Sequence, residues 1–341
     1  MWRIRACKYS DLNALLALSK GVGEGMTSMP QTQLGWRRKI AQAEASFAGQ
    51  PDAGSYFLVL EDISTGKIIG TTAVYTGVGE SRPYYALRHD KQKHTLFVEQ
   101  AMTGASEIGS LFLSADARVK GLGRALSQAR FLMMATFPQL FSATVMASCR
   151  GWLDENDDSP VWHAIGRYYD DVDFNVVVER TAEKGNEWLA RKLPKALSLR
   201  NISPEVVSLL GVPHQQSAPA HNILFSEHFV QSDFIDLADG GPTLTCQPTR
   251  IASYQASVTA KLQQANRPLK GEEMYMLACG NLRNFEIVLC RGEMQSNGVI
   301  LVDDSAQVLL DKHMNKRVKA LQIQGSDEML NRLRHRHEHA A

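Results

Sequence analysis

The stretch RVKGLGR, residues 118–124, places arginines and glycines where they could bind an anion. A helix N-terminus carries unpaired backbone N–H groups and a partial positive charge, so an anion there gains hydrogen bonds and a favourable dipole. Gly121 and Gly123 would let the backbone approach a ligand closely, and Arg118 and Arg124 would add fixed positive charge. The stretch therefore predicts a pyrophosphate-binding turn. Because glycines also build ordinary turns, a purely structural role stays open.

The sequence around this turn supplies the elements that would position it. Apolar residues over 108–113 are typical of a buried strand, whereas over 125–133 they recur at helical spacing. Residues 106–135 therefore predict a strand, a glycine turn and a helix that begins at the turn. The spacing matches neither the Gly-x-x-x-x-Gly-Lys-Ser/Thr loop nor the Gly-x-Gly-x-x-Gly turn of common nucleotide sites.

The elements predicted along the first 250 residues indicate an α/β (α+β) fold with a mixed sheet flanked by helices. A short strand and a helix are predicted over 2–21, a second helix ends near Phe47, and a hairpin turns at 64–66. Further along, the patterns predict strands over 141–153 and 173–181, helices over 157–169, 203–212 and 218–229, and a strand, turn and strand over 232–246.

A change in the residue pattern near Thr249 predicts a domain boundary. From there β-rich runs alternate with Gly and Asn, which indicates a small β-rich domain over 249–341 that ends in a frayed tail. Residues 1–248 form the main unit, with two half-units at about 1–180 and 181–248 as an alternative. The histidines that alternate in the final RHRHEHAA favour a solvated terminus, so we predict no metal site.

Composition narrows the class of protein and of partner. The 341 residues are 44% apolar and 21% charged, and the net charge is +1, which gives no basic footprint for nucleic acid or an anionic membrane. No segment has the apolar length of a signal peptide or a membrane span. Five scattered cysteines form no Cys-x-x-Cys pair, which favours reduced thiols. We expect a cytoplasmic protein that acts on small molecules.

One histidine lies where catalysis is conceivable. His214 follows the predicted helix over 203–212, in a loop with polar neighbours. Loop histidines are more often simply exposed, so the residue types alone do not indicate a role. No Ser-His-Asp set or Cys-His nucleophile motif stands out, which argues against a covalent acyl-enzyme.

The sequence resembles the GNAT superfamily of acyl-CoA N-acyltransferases and, within it, the arginine N-succinyltransferase family. Arg-x-x-Gly-x-Gly between a strand and a helix is similar to the superfamily's acyl-CoA motif. The narrower resemblance is carried by GEGMTSMP, TGASEIGSLFL, DDSPVWHAIGRYY, VPHQQSAPA and DFIDLADGGPTL, which together span about the first 250 residues. It implies a GNAT-like sheet whose central strand splays from its neighbour.

The resemblance implies an enzyme of arginine catabolism that transfers succinyl from succinyl-CoA to the α-amino group of L-arginine, with no permanently bound cofactor. His214 aligns with the family's catalytic histidine, described as a proton donor. The succinyl-CoA contact falls on the main chain of Leu111, with Leu113 following in the strand. The turn residues Arg118, Gly121, Gly123 and Arg124 would hold the coenzyme A pyrophosphate.

The acceptor side is less defined. Thr27 and Ser28 lie on a loop that carries acceptor contacts in many GNAT enzymes, and Asp236 and Asp239 are possible partners for the guanidinium, although the Asp-Gly-Gly-Pro sequence is equally good turn chemistry. The segment 86–102 is shorter than in the family, which leaves the acceptor and the acyl group open.

Three hypotheses therefore remain: an arginine N-succinyltransferase, an N-acyltransferase with another amine or acyl group, and a non-catalytic subunit. The family implies a homo-oligomer or a heterodimer with a paralogue.

Overall fold

A computed structural model describes the chain except residues 23–25, 27, 51–52, 167, 169–171 and 335–341. Across the described residues, fifteen strands form one continuous mixed sheet that eleven helices flank. The strands are β1 (Trp2–Ala6), β2 (Ser55–Asp62), β3 (Lys67–Tyr75), β4 (Tyr85–Asp90), β5 (Thr95–Gln100), β6 (Ser106–Leu113), β7 (Val145–Ser148), β8 (Ala196–Ser198), β9 (Val230–Ile235), β10 (Pro242–Cys246), β11 (Val258–Gln264), β12 (Met274–Cys279), β13 (Glu286–Met294), β14 (Val299–Val302) and β15 (Arg317–Ile323).

The helices are α1 (Leu12–Ser19), α2 (Gln33–Phe47), α3 (Leu122–Thr136), α4 (Pro160–Gly166), α5 (Phe174–Lys184), α6 (Glu187–Ala190), α7 (Pro204–Leu209), α8 (Ala218–Ser226), α9 (Ala252–Ala256), α10 (Asp304–Leu310) and α11 (Asp327–Arg334). The predicted mixed sheet flanked by helices is confirmed. The hairpin predicted within 55–78 and the strand, turn and helix predicted over 106–135 are confirmed as well.

Alternating side chains divide the central strands between two cores. On one face, Trp36 and Ile40 of α2 pack with Phe57 and Ala73. On the other face, the apolar residues of α3 pack with alternate residues of β3, β6 and β7. Successive side chains of a strand point to opposite faces, so each central strand is buried on both. A separate core lies under β4, β5 and β9, where α4 to α7 cover the sheet.

The parallel pair β6 and β7 is short, and the two strands then diverge. Their register holds for two residue pairs, Ser106 with Val145 and Glu107 with Met146. Beyond this point β6 continues beside β3, whereas β7 continues beside β10. The divergence opens a gap between β6 and β7 at the end of β6 that leads into the glycine turn, as the resemblance implies.

The carboxy-terminal strands close into a ring. β12 pairs with β13 and β15, β15 with β11, β11 with β14, and β14 with β13, which makes a five-stranded barrel. β13 also pairs with β1, so the barrel continues the amino-terminal sheet. The strands predicted after Thr249 are confirmed, and the boundary at residue 248 stays a prediction.

One predicted strand is wrong. Residues 173–181 lie in or just before helix α5, not in a strand. Asp173 caps the helix by accepting a hydrogen bond from a backbone amide, and Phe174 and Val177 are buried while Val176 is 48% exposed. This burial follows helical spacing, so the cap and the tertiary contacts override the β propensity of the three consecutive valines.

Candidate active site

The glycine turn is exposed on one side and covered on the other. Gly121, the residue before α3, has a φ of 95°, and a Cβ there would lie 3.0 Å from Sδ of Met329 in α11. A Cβ on Gly123 would meet no heavy atom of the described residues within 4 Å. Arg118, Lys120 and Arg124 are exposed around the turn. The open space beside Gly123 in the first turn of α3 and the three exposed cations therefore offer an accessible surface to an anion.

A β-bulge interrupts β6 just before this turn. Ala73 pairs with Gly109 and Thr71 with Phe112. Two residues of β6, Ser110 and Leu111, therefore lie opposite one residue of β3, Thr72. Ser110 has a φ of 52°, its carbonyl accepts 2.8 Å from Thr71 Oγ1, and its Oγ lies 2.6 Å from the Tyr75 hydroxyl. A bulge removes backbone groups from the ladder and is common beside active sites. The main chain at Leu111 is therefore the part of β6 best placed to contact a ligand in the gap.

Leu111 and Leu113 themselves are partly buried and pack against the core shared with α3. Their side chains therefore stabilise the sheet. Leu111 could contact a ligand through its main chain without leaving this core.

Glu107 lies where β6 and β7 separate. It pairs with Tyr75 on one side and Met146 on the other, on the face of the sheet that α2 covers. Desolvation raises the pKa of Glu107 to about 7, although the positive charge of Lys39 acts to lower it. The Lys39 ammonium lies 4.7 Å from the centre of the Tyr75 ring. The carboxyl group can therefore take up or release a proton near neutral pH.

A buried tyrosine hydroxyl lies close to this carboxyl group. Burial raises the pKa of Tyr84 strongly, and the negative charges of Asp236 and Glu107 raise it further. Glu107 and Asp236 both act on the Tyr84 hydroxyl, so the three side chains form an acidic neighbourhood that is suited to a cationic ligand.

His214 is held against the segment that follows β7. Its backbone N–H donates to the Arg150 carbonyl (2.8 Å), and its Nδ1 accepts from the Gln216 amide (3.3 Å). Since Nδ1 accepts, the proton of the neutral ring is on Nε2. Burial lowers the pKa of His214, and Arg150 lowers it further, so the imidazole is mostly uncharged at neutral pH. The residue is 8% exposed, in contrast to the usual loop histidine.

Helix α8 links His214 to the glycine turn. It starts four residues after His214, and at its far end Ser226 Oγ accepts 2.9 Å from Arg124 Nη1. Nine helical residues span about 13 Å. The structure thus brings the predicted histidine and the predicted anion site to opposite ends of one short helix.

Asp236 and Asp239 form a tight turn. Asp236 Oδ1 accepts from the amides of Ala238 (2.7 Å) and Asp239 (3.1 Å), and Asp239 Oδ1 accepts from Gly241 (2.8 Å). Burial raises the pKa of Asp239 to about 7, and the charge of Asp236 adds to this. The turn packs closely on the segment after β7 that holds His214, because a Cβ on Gly151 would lie 2.2 Å from the Asp239 carbonyl oxygen. Both aspartates have a clear structural role, and their contact with a substrate stays a prediction.

Among the described residues of the predicted acceptor loop, Met29 lies beside the bulge. Thr27 is outside the described residues. Ser28 is partly buried, and the next residue, Met29, places its sulfur 3.6 Å from Thr71 Oγ1, the hydroxyl that holds the Ser110 carbonyl. Met29 is therefore connected through Thr71 to the residue that precedes Leu111.

Sequence reasoning missed Glu107, Ser110 and Lys39. A charged residue within the otherwise apolar run over 106–113 was the available signal for Glu107. Nothing local indicates the bulge at Ser110, since it depends on the register with β3. Among the described residues no group of three metal-ligating side chains occurs, and no helix is long and apolar enough to cross a membrane.

Comparisons with known proteins agree on one family. A family model described as arginine N-succinyltransferase beta subunit matches residues 2–253. Arginine N-succinyltransferases of Shigella sonnei and Escherichia coli are 32% and 31% identical, and each alignment covers 95% of this chain and 98% of the relative. The solved structure of arginine/ornithine succinyltransferase subunit AI from Pseudomonas aeruginosa superposes with a TM-score of 0.83 at 25% identity, over 95% of this chain and 99% of that one.

Proposed function

The chain belongs to the arginine N-succinyltransferase family, and we propose that it transfers the succinyl group of succinyl-CoA to the α-amino group of L-arginine. The observation that carries the proposal is the order of three features along and after β6. The acidic neighbourhood comes first, at Glu107, then the bulge beside the gap, and then the glycine turn. These three features suit a cationic acceptor, a thioester and a pyrophosphate.

The acyl-CoA is proposed to bind along the end of β6. The pyrophosphate would accept hydrogen bonds from the first-turn amides of α3, with Arg118 and Arg124 beside it. The thioester would lie in the gap next to the main chain of Leu111. Water is excluded there on the sheet side, because Leu111 and Leu113 are packed into the core.

The acceptor is proposed to approach from the α2 side. Glu107 would take a proton from the α-ammonium group, Lys39 would pair with the α-carboxylate, and Asp236 would face the guanidinium. Ser28 lies on the loop nearest this position. The acidic neighbourhood favours a cationic amine over a neutral one.

The chemical step is a direct acyl transfer. The amine nitrogen attacks the thioester carbon, and the negative charge that forms on the carbonyl oxygen is stabilised by main-chain N–H groups at the bulge. When the carbon–sulfur bond breaks, the protonated form of His214, a minority at neutral pH, gives the proton that the thiolate takes up, and the second proton of the nitrogen restores it. The products are the amide and free coenzyme A.

Assembly and location follow from the same proposal. We expect a homo-oligomer or a heterodimer with a paralogue, in the cytoplasm, as the family resemblance implies. A non-catalytic subunit would retain acyl-CoA binding without turnover, so activity of the purified single chain distinguishes the two.

The test is a thiol-release assay with the purified chain, succinyl-CoA and L-arginine. We expect saturable turnover that falls about 100-fold or more in His214→Ala, as is typical when a proton-transfer group is lost. His163→Ala is a matched control, since His163 is exposed and pairs with Asp158 at 2.6 Å. Binding of succinyl-CoA without turnover by any basic amino acid would favour the non-catalytic subunit.

Ornithine is a second candidate acceptor. The solved relative is named as an arginine/ornithine succinyltransferase subunit, and the shortened segment 86–102 builds the β4–β5 hairpin, in which β4 pairs with β9 just before Asp236. A shorter side chain would reach the same carboxylate if this hairpin narrows the site. The assay should therefore include ornithine and lysine.

A further inference from the structure

Arg130 is a buried cation on α3 that lacks a carboxylate partner. It is 3% exposed, and its Nε and Nη2 donate only to Ser127, to the carbonyl (3.0 Å) and the hydroxyl one turn earlier on the same helix. Within the described part of the chain its guanidinium makes no ion pair. Burial lowers its pKa to about 10, because the negative groups around it do not compensate for desolvation. Burying an unpaired charge is costly, so an anion that arrives with a ligand would relieve this cost.

The acidic residue with the largest effect on Arg130 is already engaged elsewhere. Glu227 accepts hydrogen bonds from the backbone and side chain of Ser253 (2.8 and 2.7 Å) and from Gln128 (3.1 Å). These bonds hold the carboxylate toward α9. Glu227 therefore weakens the positive potential at Arg130 without pairing with it.

Arg130 lies on the α3 face of the sheet, near the gap. Val145 and Ala147 of β7 face α3, and Cys149, two residues further, packs against the same core. Cys149 and Arg130 affect each other's pKa, so the two side chains interact electrostatically. Glu107 is on the other face. The Arg130 guanidinium and the Glu107 carboxyl group therefore lie on opposite faces of the sheet.

The other cations around the gap have different positions. Arg118, Lys120 and Arg124 surround the glycine turn, at the entrance of α3. Lys39 lies over Tyr75 on the α2 face. Arg130 is six residues, about 9 Å, further along α3 than Arg124, and so lies away from the proposed pyrophosphate position.

We infer that Arg130 binds the terminal carboxylate of the acyl group and so makes the enzyme select dicarboxylic acyl-CoA thioesters. This inference rests on the proposed function, in which the thioester lies in the gap. A guanidinium suits a carboxylate because its N–H groups match the two oxygens. A neutral acyl chain of the same length would leave the buried charge unpaired.

The test compares succinyl-CoA with butyryl-CoA, which has the same four-carbon length and no terminal carboxylate. Binding is measured by calorimetry and turnover by thiol release, on the wild type, Arg130→Met and Arg130→Lys. We expect the wild type to prefer succinyl-CoA by about 100-fold or more in kcat/KM and by at least about tenfold in Kd. Arg130→Met should lose most of this preference, through weaker use of succinyl-CoA and equal or better use of butyryl-CoA. Arg130→Lys should restore part of it.

Arg124→Met on the same helix is the matched comparison, since it removes a cation from the pyrophosphate position. This variant should weaken the binding of succinyl-CoA and of butyryl-CoA by the same factor. The inference is wrong if Arg130→Met weakens the binding of the two thioesters equally. It is also wrong if Arg130→Lys, which keeps the charge, folds and has the same thioester preference as Arg130→Met. Absence of amine turnover in the wild type with an intact preference in Kd would instead contradict the proposed function and leave Arg130 as the carboxylate site.

Discussion

Gly121 and Gly123 are two residues apart, and their surroundings give them different roles. Gly121 has a φ of 95° and contacts Met329, whereas the space beside Gly123 is open. Gly123→Ala should leave the free energy of unfolding within about 0.5 kcal/mol but weaken coenzyme A binding about tenfold, because a methyl group keeps the phosphate away. Gly121→Ala should destabilise the fold by about 1–2 kcal/mol, since an L-residue is strained there. Denaturant unfolding and calorimetric titration with coenzyme A check both; unchanged coenzyme A affinity in Gly123→Ala would show that the turn does not hold the phosphate.

Glu107 predicts the pH dependence of the reaction. Its pKa is raised to about 7 by desolvation, so the carboxyl group is protonated below that pH and cannot act as a base. The value of kcat/KM should therefore fall as the pH drops through about 7. In Glu107→Gln the rate should fall about 100-fold, and this dependence should disappear. A pH–rate profile checks the expectation; an unchanged acid limb in the variant would assign it to another group.

At the scale of single residues, the sequence indicated the phosphate turn because its chemistry is local. His214 gained a role only from the family resemblance, since its burial depends on Arg150, more than sixty positions earlier. Asp236 and Asp239 show the same limit, because identical residues serve a turn and could serve a ligand.

The bulge in β6 is the element on which the proposed thioester site depends. Thr71 is fully buried, and its hydroxyl donates to the Ser110 carbonyl at 2.8 Å. Thr71→Val should cost about 1–3 kcal/mol of stability, because the carbonyl loses its partner, and should lower kcat as the bulge relaxes. Thr72→Val is the control, since the buried Thr72 hydroxyl has no hydrogen-bond partner among the described residues. That variant should be neutral or stabilising. Equal effects of the two substitutions on unfolding and on kcat would contradict a role for the bulge.

At the scale of elements, regular strands and helices followed from residue patterns, and the exceptions have physical reasons. Segment 173–181 has β propensity but a helix cap and helical burial. The strands β4 and β5 were not predicted, because Tyr85–Asp90 and Thr95–Gln100 mix charged and apolar residues and their pairing with β9 and β8 comes from distant sequence.

The barrel and the amino-terminal sheet are coupled through one buried carboxylate. Glu286 accepts from His313 (2.8 Å) and Lys312 (2.7 Å) and lies 3.6 Å from Arg3 of β1. Burial alone would raise the pKa of Glu286, but the hydrogen bonds from Lys312 and His313 outweigh it and lower the pKa. The ion pairs therefore stabilise the fold above the pKa of an unfolded glutamate, and this stability is lost as the pH falls through the lower folded value.

Glu286→Gln should cost about 1–3 kcal/mol in the free energy of unfolding near neutral pH and less in acid. Lys312→Gln should cost under about 1 kcal/mol, because Lys312 is 60% exposed. Urea unfolding at several pH values measures both. Equal losses in the two variants would mean that Glu286 does not join the barrel to β1.

At the scale of the whole molecule, the carboxy-terminal strands were predictable, but their closure into a ring and their union with β1 were not, since both depend on register between distant segments. The contact of Met329 with Gly121 was also not predictable, because it joins two distant segments of the sequence. It places the last described helix against the proposed coenzyme A site, which a separate appended domain would not predict.

The most direct test of the central claim is the identity of the product. The purified chain is incubated with succinyl-CoA and arginine that carries a nitrogen label only in its α-amino group, and the product is followed by nuclear magnetic resonance. The proposed reaction predicts that the labelled nitrogen becomes an amide in step with thiol release and that the guanidinium is unchanged. Thiol release without a labelled amide, or acylation of another nitrogen, would contradict it.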